Sequence, residues 1–265
     1  MRRIIASLAL LILAAAATAA GQRRWNASPI EVPIDKAPAY DGRFVFARLK
    51  FNTGPGGYYF RGLPAWAHGY STSIQGRRAE DNLAKILNSV TDMKPHLDGT
   101  AVVDVSDPQL FEYPIVYAVE PGFMALSDKE VITLREYLLK GGFIIFDDFR
   151  SRNFIGGDDW VTFTETMQRV LPEEHLREIP LTHPIFHAFF DIQTLQFHQA
   201  YDAGVPQFYG MSMHDDPNGR LQIIANFNND VSEYWEYSDT GFAPIDLSNE
   251  AYKLGVNYVV YGMTH

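Results

Sequence analysis

The sequence predicts one α/β domain built on a doubly wound, mainly parallel sheet with an antiparallel hairpin addition. Two observations carry this. Short runs that are apolar on both faces recur along the chain, and they alternate with stretches whose apolar residues fall at helical spacing. Strands buried on both faces need helices above and below the sheet, and right-handed crossovers then make neighbouring strands parallel.

Residues 1–20 are expected to stand outside the fold. Met1, Arg2 and Arg3, the apolar run "IIASLALLILAAAA" and the small residues "TAAGQ" follow the order of a secretory leader, so a signal peptide cleaved after Ala20 is expected, in a periplasmic or secreted protein. An uncleaved anchor is the competing reading, although Ser7 and Thr18 interrupt the apolar run. Residues 21–42 are expected to form an extended N-terminal arm, because "WNASPIEVPIDKAPAYDG" holds three prolines and no apolar period. Residues 43–265 then make the domain.

"RFVFARLKF" (43–51) reads as the first strand, mostly apolar on both faces, with Arg48 on the face of Phe44 and Phe46, and leads into the glycine-rich "NTGPGGYYFRG". Leu83, Ile86, Leu87 and Val90 mark an amphipathic helix. "GTAVVDVS" (99–106) and "YPIVYAVE" (113–120) read as buried strands. Ser127 and Glu130 make a capping box, Val131, Leu134 and Leu138 the apolar stripe, and Gly141 a left-handed stop, so a helix is bounded at both ends. "GGFIIFDDFR" (141–150) supplies the next strand. A helix over 158–170, a hairpin from "QFYGMSM" to "RLQIIANF" and a last helix within "SNEAYKLGVNYVVYGMT" complete the elements.

Composition bounds function. Removal of the leader's two arginines takes the formal charge from −10 to about −12, which argues against nucleic-acid partners. There is no cysteine, hence neither a disulfide nor a thiol nucleophile.

The motifs "FARLKF", "NLAKILNSVTDM", "FEYPIVYAVEPGFMALSDKEVITLREYLLKGGFIIFDDF", "HPIF", "GRLQIIANFNNDVSEYWEY" and "LGVNYVVYGMT" together resemble the bacterial family known as domain of unknown function 4159, over about residues 43 to 264. The resemblance implies a flavodoxin-like fold, distantly related to class I glutamine amidotransferases, exported or membrane-associated and without an established activity. Some relatives accompany membrane proteins with von Willebrand factor A domains and MoxR-type ATPases, so an envelope or membrane protein partner is expected. The related amidotransferases carry a cysteine on a tight elbow after the strand that matches 142–147. Asp148 stands near that position here, and a glutaminase is excluded.

Candidate chemistry gathers at strand ends, where doubly wound sheets place their ligands. If strand pairing persists through 148, Asp147 and Asp148 point to opposite faces, so at most one faces a crevice, and Asp148 is favoured; they converge only if the strand has already ended or bulged. The plainer alternative has one capping a turn and the other pairing with Arg150 or Arg152. Asn226, Asn228, Asn229 and Asp230, with Tyr234 and Trp235 behind them, suit a polar small-molecule or carbohydrate site if the aromatic faces are exposed, and a turn against the core if they are not. Arg150 and His183 are further ligand-binding candidates. A zinc site from His183, His187 or His198 with Asp147 or Asp148 has no recognised spacing, and "NTGPGGYYF" lacks both the phosphate-loop and the dinucleotide pattern, so neither metal nor cofactor is assigned. The expected function is a non-catalytic binding or envelope-assembly module. The alternative is a carboxylate-based hydrolase, metal-dependent in one version, acting on carbohydrate or envelope polymer with acid and base drawn from Asp147, Asp148, Asp230 or Glu233.

Overall fold

A computed structural model describes residues 29–59, 62–70, 77–149, 159–196 and 205–265. The expected leader, Arg150, Arg152 and His198 lie outside the described residues.

The expected strands and helices form in the expected order. β1 (Ala47–Lys50) is followed by a small antiparallel pair, β2 (Tyr58–Tyr59) and β3 (Leu63–Pro64), and then by α1 (Arg78–Val90). β4 (Ala101–Asp104), β5 (Ile115–Val119), α2 (Asp128–Leu139), β6 (Phe143–Asp147) and α3 (Asp159–Val170) come next. The chain ends with β7 (Arg177–Glu178), β8 (Gln207–Ser212), β9 (Leu221–Phe227), the short α4 (Val231–Glu236) and α5 (Ile245–Thr264).

These strands make a mixed seven-stranded sheet in the order β4-β1-β5-β6-β9-β8-β7. The pairs from β4 to β9 are parallel, whereas β8 joins β9, and β7 joins β8, antiparallel. The chain crosses from β1 outward to β4 and returns to place β5 on the other side of β1, so the winding reverses between β1 and β5.

Helices cover both faces. Leu134 and Leu138 of α2 and Phe163 and Met167 of α3 pack with Val116, Ile144 and Phe146 on one side. Leu83 and Leu87 of α1 and Leu254 and Tyr258 of α5 pack with Tyr117, Phe143 and Ile145 on the other. Alternation along β6 thus sends its odd-numbered residues to the α1/α5 layer and its even-numbered ones to the α2/α3 layer.

The α2 boundaries follow from local chemistry. The Ser127 hydroxyl accepts from the Glu130 amide, the Glu130 carboxylate accepts from the Ser127 amide at 2.7 Å, and Gly141 takes a φ of +99° beyond the helix end. β4 departs from the expectation of burial on both faces: it is an edge strand, with Val102 and Asp104 half-buried. The glycine-rich stretch after β1 is a packing feature, because a Cβ on Gly57 would lie 2.6 Å from the Phe123 Cβ. Among the described residues, no helix is long and apolar enough to cross a membrane.

Candidate functional site

Three adjacent parallel strands, β5, β6 and β9, each release a non-glycine residue in left-handed conformation shortly past their carboxyl ends. Glu120, Asp148 and Asn228 have φ of +49°, +59° and +53°. Val119 pairs with Asp147 across β5 and β6, so Glu120 and Asp148 leave the sheet side by side. A side chain in this region of φ/ψ is strained, and the strain turns the carboxyl away from the course of the strand.

The third member comes from the other side of the winding reversal. His68 follows the 3-10 turn Ala65–Ala67 in the long connection after β1, and its Nδ1 stands 2.6 Å from Asp148 Oδ2 and 3.0 Å from Glu120 Oε1. A carboxylate oxygen only accepts, so Nδ1 carries the proton in this arrangement. Glu120 is buried, Asp148 nearly so, and the His68 ring is partly open to solvent. One donor atom from each of the three lies within 4.8 Å of the others, a geometry that can hold a metal ion.

Buried Arg48 of β1 holds His68 in place. Its guanidinium donates to the His68 carbonyl at 2.7 Å and the Trp66 carbonyl at 3.2 Å, and pairs with the buried Glu80 of α1 at 2.5 Å. On the far side of the loop, a Cβ added to Gly69 would lie 3.2 Å from Glu236 Oε2, which puts the α4 carboxylate beside the His68 turn. Gly122 lets α3 approach the strand ends, since a Cβ there would sit 2.4 Å from the Asp159 Cβ.

Electrostatics follow from crowding. Burial, then the neighbouring Asp148 charge, pushes the Glu120 carboxyl well above the usual carboxylate range. Burial, then Asp148 and Asp147, does the same to Asp230. At His68, burial opposes the imidazolium, but the charge and hydrogen bond of Asp148 outweigh it, so the net shift is upward.

Asp147 and Asp148 diverge. Asp147 is fully buried on the α1/α5 side, where its carboxylate accepts from the Tyr117 hydroxyl, from Asn226 Nδ2 at 2.9 Å, and from the Val231 and Ser232 amides at 3.2 and 2.9 Å. Tyr258 closes this network by donating to Asn226 Oδ1 at 2.9 Å. Asp147 therefore anchors the start of α4, and burial raises its carboxyl to about 6 against the donors that surround it. Asp230 caps the same helix, accepting from the Glu233 amide at 3.0 Å.

The other candidates scatter. Asn228 Nδ2 donates to the Val205 carbonyl at 3.2 Å, and Asn229 is buried at the same strand end. Trp235 is fully buried and packs on Tyr117 with ring centroids 5.8 Å apart; Tyr234 is buried too, so of the two readings of these rings the core one describes them. His183 lies at the opposite end of the sheet. Its Nδ1 accepts from the Ile185 amide, and its ring packs near Tyr261, whose hydroxyl accepts from the amide of Leu221, the first residue of β9. His187 is paired with Asp191 and the Leu181 carbonyl, away from both aspartates of β6.

His68 and Glu120 were not singled out by the sequence. Glu120 carried a legible signal: it ends a buried strand at the position that Asp148 occupies on the next. Arg48 carried another, as one cation inside an apolar strand that demands buried partners. His68 carried none, because nothing in "PAWAHGY" fixes where the loop returns.

No curated protein matches the chain. The sequence model of the family described as Domain of unknown function (DUF4159) matches residues 63–263, a span that begins after β1 and contains His68, Glu120 and Asp148; the chain belongs to this family.

Proposed function

We propose that the protein is an exported, non-catalytic binding or envelope-assembly module on a flavodoxin-like, glutamine amidotransferase-like scaffold, with its ligand site at His68, Glu120 and Asp148. One observation carries this reading: Asp148, in a left-handed turn at the end of the central strand, meets a histidine and a second carboxylate beside the point where the winding reverses. Doubly wound sheets bind ligands at that place. The scaffold's usual nucleophile is missing, since the chain has no cysteine, and an aspartate at an elbow cannot form the thioester of the related enzymes. The ligand is small and polar, and an envelope protein partner fits an exported acidic chain.

A thermal-shift panel of sugars, amino acids and other polar metabolites tests the reading on wild type and Asp148→Ala. Protection by one class of ligand, lost in the variant and unaccompanied by turnover, is the expected result. Saturable turnover of any small amide, ester or glycoside that disappears in Asp148→Ala would end the non-catalytic reading.

A second reading, a carboxylate-based hydrolase acting on carbohydrate or envelope polymer, is favoured by one feature. Burial pushes the Glu120 carboxyl well above the usual carboxylate range next to Asp148, and a pair of carboxyls held in unlike environments is how such enzymes divide acid from base. The acid would be Glu120, because Asp147 is occupied in holding α4.

A further inference from the structure

We propose that His68, Glu120 and Asp148 form a divalent transition-metal site, zinc being the preferred ion, with at least one coordination position left open for the ligand. The proposal deepens the binding reading above and rests on it for the location of the site.

Donor chemistry selects the ion class. One imidazole nitrogen and two carboxylate oxygens make a mixed set, which suits zinc and its neighbours better than calcium or magnesium, whose sites are built from oxygen alone. Geometry agrees. Zinc bonds of about 2.0–2.2 Å put the donors around one tetrahedral ion roughly 3.3 Å apart. The His68 Nδ1 to Glu120 Oε1 separation is 3.0 Å and that to Asp148 Oδ2 is 2.6 Å, so these two pairs need to open by only a fraction of an ångström, and all three donors lie within 4.8 Å of one another. Binding would release to solvent the proton on Nδ1 and, with it, the proton that burial favours on the Glu120 carboxyl, since each ligand binds in its deprotonated form.

The surroundings look like support for a metal rather than an incidental surface cluster. Two of the three ligands are carried on residues fixed just past adjacent strands of the sheet core, and Glu120 is buried. The third is tied through its own carbonyl to Arg48, itself locked to Glu80 inside the protein. Metal-bound histidines are commonly oriented by an outer carboxylate, and Glu236 stands beside the His68 turn. Three protein ligands with an open position describe a site that binds a further oxygen donor, so the polar ligand is one bearing a carboxylate, phosphate or vicinal hydroxyls.

The test uses the full chain, stripped with a chelator and titrated calorimetrically with zinc, manganese, magnesium and calcium. Expected are one zinc per chain, binding of magnesium and calcium weaker by about a hundredfold or more, and a loss of about tenfold or more in zinc affinity for each of His68→Ala, Glu120→Gln and Asp148→Asn. His183→Ala, at the opposite end of the sheet, and Asp215→Asn, whose carboxylate pairs with Arg177 of β7, should bind zinc as wild type does. X-ray absorption of the zinc-loaded wild type, which needs no variant to fold, should show a single imidazole among oxygen neighbours.

Absence of stoichiometric zinc binding, binding that survives all three substitutions, or a shell with two imidazoles would overturn the proposal. If zinc fails to bind while a small polar ligand still protects wild type and not Asp148→Ala, the metal site falls and the binding module stands. If zinc binds as expected but turnover appears, the metal site stands and the non-catalytic reading falls.

Discussion

Arg48 shows how a single buried residue ties the core to the site. Its guanidinium sits between the faces of Tyr70 and Tyr117, pairs with Glu80, and donates to two carbonyls of the loop that presents His68. Removing one partner of a buried ion pair strands the other charge, so Arg48→Met is expected to cost about 3–5 kcal/mol. Arg48→Met with Glu80→Leu takes away the stranded charge and should recover part of that loss, leaving about 1–3 kcal/mol for the two carbonyls without a donor. Zinc affinity should stay low in the double variant, because the anchor of His68 is still gone. Denaturant midpoints give the stabilities and calorimetry gives the affinity; a double variant that binds zinc like wild type would show that Arg48 does not position the histidine. At this scale the sequence was partly legible. Alternation, taken as running through 148, separated Asp147 from Asp148; the strand in fact ends at Asp147, and the left-handed turn at Asp148 is what sends the second carboxyl elsewhere. Trp235, placed by its neighbours in a polar strand end, proved to be a core ring on Tyr117. A one-dimensional neighbourhood says what a residue stands next to in the chain, not which layer its own helix turns it toward.

At the scale of elements, most boundaries were legible because they depend on near neighbours. The capping box and Gly141 bound α2, and period-2 and period-3.6 patterns located the remaining sheet and helix segments. The site was not legible in this way, because it is made where elements end. Left-handed residues close β5, β6 and β9, and only the pairing of those strands brings their ends into one row. The strand-end hypothesis picked out Asp148 and Asn228, which lie just past the ends of β6 and β9, whereas His68 is carried beside Asp148 by the connection after β1. Such ends store strain and repulsion for the sake of a site. Asp148→Asn keeps a side chain that tolerates the left-handed region and removes one carboxylate from beside Glu120 and Asp230. It is expected to stabilise the metal-free protein by about 1 kcal/mol, a rise of about 2–4 °C in melting temperature for a chain of this size, while losing ligand. A melting temperature below that of wild type would mean that the His68–Asp148 bond outweighs the repulsion.

Over the whole molecule, the acidic groups fall into two sets that pull stability in opposite directions with pH. Asp215 and Asp41 are held well below the usual carboxylate range, the first by Arg177 and the His175 amide, the second by Arg43 and His96. A folded-state carboxyl with a depressed pKa binds its proton later than the unfolded chain does, so its contribution is present above about pH 4 and is lost as the pH falls further. Asp147 belongs to the other set. Burial raises it to about 6, so from about pH 4 to 6 the folded protein holds a proton that the unfolded chain releases, and stability falls as the pH rises through that window. Glu174 is raised by burial as well, and Glu120 and Asp230 are pushed well above the usual carboxylate range by burial and the neighbouring Asp148 charge, so all three act in the same direction. The metal-free protein is therefore expected to melt highest in mild acid, near pH 4 to 5, rather than at neutrality, with a steep decline below that range and a gradual one above it. Melting temperatures in a series of buffers from pH 3 to 8 check this. Asp215→Asn should soften the acid limb alone, and Asp147→Asn should make the upper limb shallower, the other raised carboxyls keeping part of it, while lowering the whole curve, because an amide cannot accept both helix amides and the Asn226 and Tyr117 donors at once. A profile that rises steadily to pH 8 in wild type would mean that Asp147 and the other buried carboxyls stay ionised within the fold, their donors outweighing their burial.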